Sequence, residues 1–541
     1  MFSAFKKFGK LGALASSVAR AWSPLALWPN GISTAGMWIS PSTLPASFND
    51  STGTTPVATP GTVADSANPV GLALDIRAGA PDTLGPELVT NGDFSDGTTG
   101  WSGFGAVWSV SGGRAVSSVS PYVAIEQNVF TLGKRYLVSI ELISGPNQVY
   151  VQVNNGGYYT TLTSVGVLSF ITPIISTPNL SIITSGTVSG PASVDNISVR
   201  EIPGNHMLQS TSAARPLASG RSNYINYSED FSPAAGYWQS NNITRLSGQT
   251  DPIGGTSATR LTTLANNVYV SATTVPIVTG VTYTLSLYIK RVSGTGTVRF
   301  YTNAGGAHSP NLGITTSWAR YTYTFTAATT DSYVRIIDIG TSGDSVEIWG
   351  AQINGGSTAL TYQRVGAASD YTATGFPQFA KFDGTDDALA SATFSAGTLT
   401  SSMDCLIAVR RDSAANCVAG LYNGISDATK FFGMAESASG SGCVGSGAGT
   451  PTVWVDNTQL TGGTAVTRGT LHTALTAGSY HILEFRNLDL SAWTATGFGL
   501  YTSYVFPGAR GDIMLFESTA STADKDAARQ YLADKYGVTL P

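Results

Sequence analysis

Period-two alternation of apolar and polar residues is the feature that most restricts this chain. Residues 136–143 (YLVSIELI) and 283–291 (YTLSLYIKR) alternate along their length. An extended strand sends successive side chains to opposite faces, so each stretch reads as a half-buried strand. Similar short runs, rich in β-branched and aromatic residues, recur between clusters of Gly, Asn, Asp and Ser. That punctuation is expected of an all-β fold made of sandwiches. A chain of 541 residues should hold about three or four domains. Charged residues are 12% of the chain, about half the usual share, while apolar residues at 42% suffice for cores. The surface is therefore dominated by uncharged polar groups and is not that of a disordered polyelectrolyte.

The net charge of −5 comes with no extended basic face, because Lys6, Lys7 and Lys10 sit at the start and the other lysines are scattered. Nucleic-acid binding by the body is excluded on that ground. Cys405, Cys417 and Cys443 all fall in the last third. Their odd number argues against a disulfide scaffold, one bridge remaining open. No apolar run reaches the roughly 18 residues needed to span a membrane.

Residues 1–22 (MFSAFKKFGKLGALASSVARAW) carry Phe8, Leu11, Leu14, Val18 and Trp22 on one face at helical spacing, with Lys6, Lys10 and Arg20 opposite. A cleaved signal peptide is the rival reading, but its apolar centre is short and broken by Ser16 and Ser17. The expectation is a retained amphipathic anchor that docks on another protein; a membrane-surface helix is the weaker option. Residues 23–35 read as a Pro/Gly linker.

Two complete modules follow. The first opens with ELVTNGDFSDGTTGW and the second with NYINYSEDFSPAAGYW. In each, a tryptophan stands seven positions after the phenylalanine (94 to 101 and 231 to 238). Gly133-x-x-Tyr136-x-x-Ser139 matches Gly280-x-x-Tyr283-x-x-Ser286, and Ser193-Val194-Asp195 matches Ser345-Val346-Glu347. Ordered matches of this kind imply an internal duplication. Residues 376–389 (FPQFAKFDGTDDAL) then read as a strand entering a tight turn at Asp383-Gly384. A last helix is expected from Ser521 or Thr522, burying Ala527, Tyr531, Leu532 and Tyr536.

The segment 36–79 holds too few strands to close a sandwich. Its residues Trp38, Pro41-Ser42, Phe48, Asp50-Ser51, Gly53-Thr54-Thr55-Pro56-Val57, Pro69-Val70-Gly71 and Asp75 resemble the start of a concanavalin-A/laminin-G-like module of tailed-bacteriophage virion proteins. The family continues with Gly-Asn-His, Ala-Arg-Pro and Phe-Asp-Gly-x-Asp-Asp. Here those are Gly204-Asn205-His206, Ala214-Arg215-Pro216 and Phe382–Asp387, each displaced by one of the two modules. The modules resemble carbohydrate-binding modules of the jelly-roll type, on Asn91-Gly92-Asp93-Phe94 and residues 194–199 for the first, and residues 227–231 and 350–352 for the second. The expected organisation is an anchor and linker (1–35), a discontinuous concanavalin-A/laminin-G-like sandwich (36–83, 203–221 and 367–541), and two inserted jelly rolls (84–202 and 222–366).

Candidate sites are few. Tyr158 and Tyr159, in what reads as an NNGGYY loop, and Trp349 could offer rings for sugar stacking; most other tryptophans, Trp101 and Trp238 among them, are expected in cores. Asp93 with Asp195, or Glu229 with Glu347, could hold a structural Ca²⁺ where module ends meet, against turn chemistry as the plainer reading. Asp386 and Asp387 could bind Ca²⁺ or act as paired acids, against a polar turn. His206, His308, His472 and His481 match no zinc spacing, and no serine sits in a Gly-x-Ser-x-Gly setting. The expectation is therefore no enzyme. It is a structural virion protein (fibre, spike or decoration), assembled in the bacterial cytoplasm and homo-oligomeric. Residues 1–30 would bind other virion proteins, and the sandwiches would meet host cell-surface polysaccharide. A polysaccharide-degrading tail enzyme and a secreted bacterial adhesin are the alternatives.

Overall fold

The strand Met403–Arg411 shows what the alternation achieves. Cys405, Ile407 and Val409 enter a core between two sheets, while Leu406 and Ala408 join a second apolar cluster on the outer side. The computed structural model describes residues 22–541 apart from 31–33, 42–46, 52–54, 78–83, 106, 119–122, 133, 146–148, 155–157, 173–174, 185–190, 233–235, 331–333, 392–396, 425–426, 461–465 and 502. The chain is nearly all β and folds as three sandwiches. No described helix is long and apolar enough to cross a membrane.

The first sandwich draws on three separated stretches. Its larger sheet runs Leu217–Ser219, Phe379–Asp383, Pro507–Glu517, Met403–Arg411, Tyr480–Leu488, Thr452–Val455 and Thr458–Gln459. Gly36–Ile39 shares one edge of Pro507–Glu517 with Phe379–Asp383: Trp38 lies opposite Met514, and Ala380 opposite Arg510. The smaller sheet runs Ser47–Phe48, Leu72–Ala73, Met207–Leu208, Leu389–Ser391 and Gly497–Phe498. Between them pack Met37, Ile39, Met207, Phe382, Phe485 and Leu515.

Helix Thr522–Tyr536 covers the outer side of the larger sheet, started by the Ser521 hydroxyl accepting the Asp524 N–H and ended by Gly537 at φ 69°. Its buried face is Ala528, Arg529, Leu532, Ala533 and Tyr536. Leu532 and Tyr536 match expectation, whereas Ala527 and Tyr531 flank the face half-buried. The stretch read as a linker is also packed here. Pro24–Leu27 forms a 3₁₀ turn, Leu27 and Trp28 are buried, and Trp28 stacks on Trp38 with ring centroids 6.1 Å apart. Trp28 has a carbonyl to bond, Leu515 O at 3.1 Å, so its indole can be buried without an unpaired N–H. Phe8, Leu11, Leu14 and Val18 lie outside the described residues. Trp22 does not: its indole donates to Asp524 at 3.0 Å and its ring packs on Tyr531, so it serves this chain's own body instead of an outside partner.

Two buried carboxylates join the separated stretches. Asp512 accepts from the Trp38 indole (3.1 Å), the Ser40 hydroxyl (2.9 Å), the Tyr536 hydroxyl (2.9 Å) and the Lys535 ammonium (2.8 Å). Asp75 accepts from the backbone N–H groups of Trp38 and Asn205 and is paired with Arg77 at 2.9 Å. The Asp75 N–H donates to Nδ1 of His206, whose other ring nitrogen bonds Ile202 O at 3.0 Å; burial lowers the His206 pKa. This is the work of the Gly-Asn-His run. A Cβ on Gly204 would come within 2.8 Å of Asp75, so only glycine brings the two stretches so close.

The inserted modules repeat one topology. The five-stranded sheet of the first runs Gly166–Ile171, Tyr136–Ser144, Ser193–Glu201, Ala115–Ser117, Trp108–Val110; that of the second runs Ala319–Thr326, Thr282–Ser293, Ser345–Gly355, Ala258–Thr263, Ile243–Gln249. The facing sheets also agree, Ala124–Asn128, Asn179–Thr184, Val149–Val153 against Val268–Ala272, Val334–Ile339, Val298–Arg299. The shared motifs do the same jobs. The Trp101 indole donates to Asn91 O (3.2 Å) and that of Trp238 to Tyr227 O (3.0 Å), each carbonyl on a residue of positive φ. The Tyr136 hydroxyl accepts the Thr131 N–H and the Tyr283 hydroxyl the Val278 N–H, five positions back in both.

Both modules are fixed to the first sandwich. Arg135 of the first donates to Ser51 O at 3.0 Å. In the second, Gln363 is fully buried at the neck: it accepts from the N–H groups of Ser222 and Asn223 and donates to Gly220 O and Thr372 O, tying entry strand to exit strand. A Cβ on Gly355 would meet Gly478 O at 2.3 Å, so the two backbones touch there.

Replacing Asp512 by Ala would leave the Lys535 ammonium and three other donors without their shared acceptor. Breaking a buried pair in this way costs about 3–5 kcal/mol. Denaturant unfolding of Asp512→Ala is expected to show a loss of that size; a loss below about 1 kcal/mol would remove Asp512 as the junction.

Candidate functional site

The outer face of the four-stranded sheet in the second module gathers the chain's most unusual polar cluster. Val268, Val270, Val298, Ile337 and Ile339 turn inward to the core, so alternation turns Tyr269, Arg299 and Asp338 outward. The register sets two cross-strand rows. Tyr269, Asp338 and Arg299 form one, and Gln239, Ser271 and Arg335 the other. A bulge between Val270 and Ser271 brings Arg335 onto the same face as Asp338, three positions along. The hairpin Tyr301–Thr302 with Ala307–His308 adds two rings at the end of the sheet.

Arg335 lies between tyrosines, its guanidinium carbon 4.0 Å from the Tyr269 ring centre and 5.2 Å from that of Tyr301. His308 packs on Tyr301 with centroids 4.6 Å apart and bonds Asp338 through Nε2 at 2.8 Å. Burial raises the pKa of Asp338, which the His308 bond opposes. The second carboxylate oxygen of Asp338 and the Nε of Arg335 are buried without a hydrogen-bond partner. Tyrosine rings and a planar cation on one sheet face suit a sugar. Its C–H faces stack on tyrosine, and its hydroxyls pair with the polar groups between.

The residues singled out from sequence are placed differently. Tyr158 and Tyr159 begin a strand, Tyr158–Leu162, at the edge of the first module's four-stranded sheet, with Tyr159 opposite Gln152; they are not in a loop, and their side chains lie outside the described residues. Trp349 is only 3% exposed, packed on Tyr288 and Tyr362 with its indole on the Ser257 hydroxyl, and is a buried structural ring in place of an open platform. Glu347 is held between Arg260 (2.6 Å) and Lys290 (2.7 Å). Burial pushes its pKa up, but the two cations outweigh burial and lower it. An acid neutralised twice is no metal ligand, which corrects the pairing with Glu229. Glu229 accepts from the Tyr362 hydroxyl at 3.1 Å, and burial raises its pKa. It borders an open cavity of about 480 Å³ with Tyr227, Arg364 and Asp370. Asp93 caps its own turn through Ser95, whose hydrogen bonds lower its pKa; Asp195 accepts from the Asn196 N–H and lies 3.9 Å from Arg114. Cys405, Cys417 and Cys443 are buried free thiols.

Among the described residues the group of three metal-capable side chains is Asp383, Asp386 and Asp387, with ligand atoms within 4.8 Å of one another. The arrangement is a turn: Asp387 accepts the Asp383 N–H, and Asp383 accepts the Thr385 N–H. All three acids lie on one side of it, so they do not face each other across a substrate as glycoside hydrolysis requires.

Tyr269, Tyr301 and Arg335 escaped the sequence reading. For Tyr269 and Arg335 the signal was present in VYVSA and VRIIDI, where a tyrosine and an arginine occupy polar positions of otherwise apolar strands.

No family model matches the chain, and no curated protein does. Among solved structures, the tandem CBM22 domains of Paenibacillus barcinonensis Xyn10C are 14% identical, covering 50% of this chain and 98% of that one at a TM-score of 0.21. A carbohydrate-binding module of Cellvibrio mixtus lichenase 5A, solved with cellotriose, is 16% identical over 23% of this chain and 95% of that one (TM-score 0.17). The ANXUR1 extracellular domain of Arabidopsis thaliana is 13% identical over 45% and 84% (TM-score 0.17). At these scores the fold rests on the strand pairings described above.

Asp387 gives a pH test. Burial first, then the like charges of Asp383 and Asp386, push its pKa up to about 6 from the usual 3.8, the Asp383 N–H opposing. The folded chain then binds more protons than the unfolded chain between these values, so its stability falls as pH rises through that window. Asp387→Asn is expected to abolish that fall, read as unfolding midpoints from about pH 4 to about pH 7; an unchanged slope would show that Asp387 does not titrate there.

Proposed function

We propose that this chain is a structural component of a tailed-phage particle that holds sugar-binding faces toward the host surface. The observation that carries the binding half is the Tyr269–Arg335–Tyr301 stack on an open sheet face. Stacking rings fixed by a cation are prepared for a flat, hydroxyl-rich ligand before it arrives, which lowers the ordering cost of binding. The virion half is supported by the sequence resemblance of the interrupted first sandwich. Residues 1–21 are the anchor in this reading, since Trp22 to Trp28 are engaged by the body itself.

Truncating Tyr269 to Ala should weaken binding to responsive glycans on an array by about tenfold or more. An intact fold, checked by thermal unfolding, makes the loss specific. Array binding that is indifferent to Tyr269 and Tyr301 would exclude this face. Deleting residues 1–21 should yield a folded protein missing from particles, and particles that still carry it would rule out the anchor.

A further inference from the structure

The sugar face carries two arginines, Arg335 and Arg299, beside a single acid, Asp338. Some arginines of this chain have carboxylate partners: Arg260 with Glu347, Arg291 with Asp344, Arg364 with Asp370, Arg468 with Glu436. Arg335 belongs with those that have none. No acid lies within ion-pair distance of it among the described residues, and its Nε has no hydrogen-bond partner. The nearby acid, Asp338, bonds His308 through one oxygen only, and the charges of Arg335 and Arg299 favour its ionised form against burial. One strand away stands Arg299, exposed and opposite Asp338 in the register.

We infer that this face selects an acidic sugar, with the carboxylate bound by the Arg335 guanidinium and the ring stacked beside it on Tyr269 or Tyr301. This rests on the sugar-binding reading above and gives it a substrate class. A guanidinium presents its donors in a planar fork that matches a carboxylate with two parallel hydrogen bonds. Stacking on two rings already fixes the plane of that fork, so little rotamer freedom is lost when an anion arrives. A hexuronate carries its carboxylate at the rim of the pyranose, next to the C–H face that stacks on an aromatic ring. Arg335 is stacked on one face of Tyr269, its guanidinium carbon 4.0 Å from the ring centre, so cation and ring lie side by side for such a ligand. Arg299 adds a second cation along the strand direction, suited to the next acidic residue of a polymer. The net charge of −5 speaks against a general polyanion sink: the attraction is local to this face.

The test uses the full chain and oligosaccharides of galacturonate, glucuronate and mannuronate, each beside its carboxyl-reduced counterpart. Direct binding is measured by calorimetry. At least one acidic member should bind about tenfold tighter than its reduced form, the size expected of a charge-assisted hydrogen-bonded contact. Arg335→Gln should erase that preference and leave the weak neutral binding, while Tyr269→Ala should lower both. Equal binding of acidic and reduced forms, still lost in Tyr269→Ala, would overturn the acid preference and leave the sugar face standing. Binding of neither form, or binding unaffected by Tyr269→Ala, would overturn the sugar face as well. An acid preference that survives Arg335→Gln but falls in Arg299→Gln would overturn the assignment of the carboxylate to Arg335. Thermal unfolding of each variant separates these outcomes from misfolding.

Discussion

The buried carboxylate of Asp512 is the contact on which the rest of the structure depends. It gathers a tryptophan and a serine from near residue 40, and a lysine and a tyrosine from the last helix, around the strand Pro507–Glu517. A buried charge tolerates no vacant partner, so the group admits few other arrangements. The beginning and end of the chain are thus bound to one atom pair, and everything between must leave and return. Asp75 makes the same demand at a second point, closing on Asn205 and His206 across the first module. Two long excursions fit between these constraints because loop closure becomes only slowly more costly with length.

Much of this was legible before any coordinates. Alternation in residues 136–143 and 283–291 gave strands, and both are paired on each side within their sheets. Motif order implied duplication, and the duplicated tryptophans and tyrosines make the same hydrogen bonds. The short piece 36–79 looked incomplete because it had too few strands, and its strands do pair with residues 207–208 and 507–517. Composition misled where sequence distance hid contact. Residues 23–30 looked like a linker because Pro and Gly punctuate them, yet Trp28 finds a carbonyl almost 500 positions away. Trp349 looked like a platform because it is a large ring near a module end, but the returning segment that carries Tyr362 covers it.

The face proposed to bind sugar was hidden for a different reason. Tyr269, Arg299, Tyr301, His308 and Arg335 come from five strands, and none stands out alone. Only the register and a single bulge bring them to one side. In the first module the matching row is Gln152, Ser181 and Glu126, with Ser181 donating to Glu126 at 2.7 Å. The two modules therefore share backbone and core hydrogen bonds and differ at these outward positions. That is how one fold comes to host different recognition chemistry.

The neck at Gln363 has a mechanical meaning. Entry strand and exit strand leave the first sandwich side by side, joined through one amide. A pull on the second module is shared by two strands in parallel and ends at this clamp. Backbone contact at Gly355 and Gly478 limits rotation about the same point. Load on the second module would reach the first sandwich through two chain segments at once.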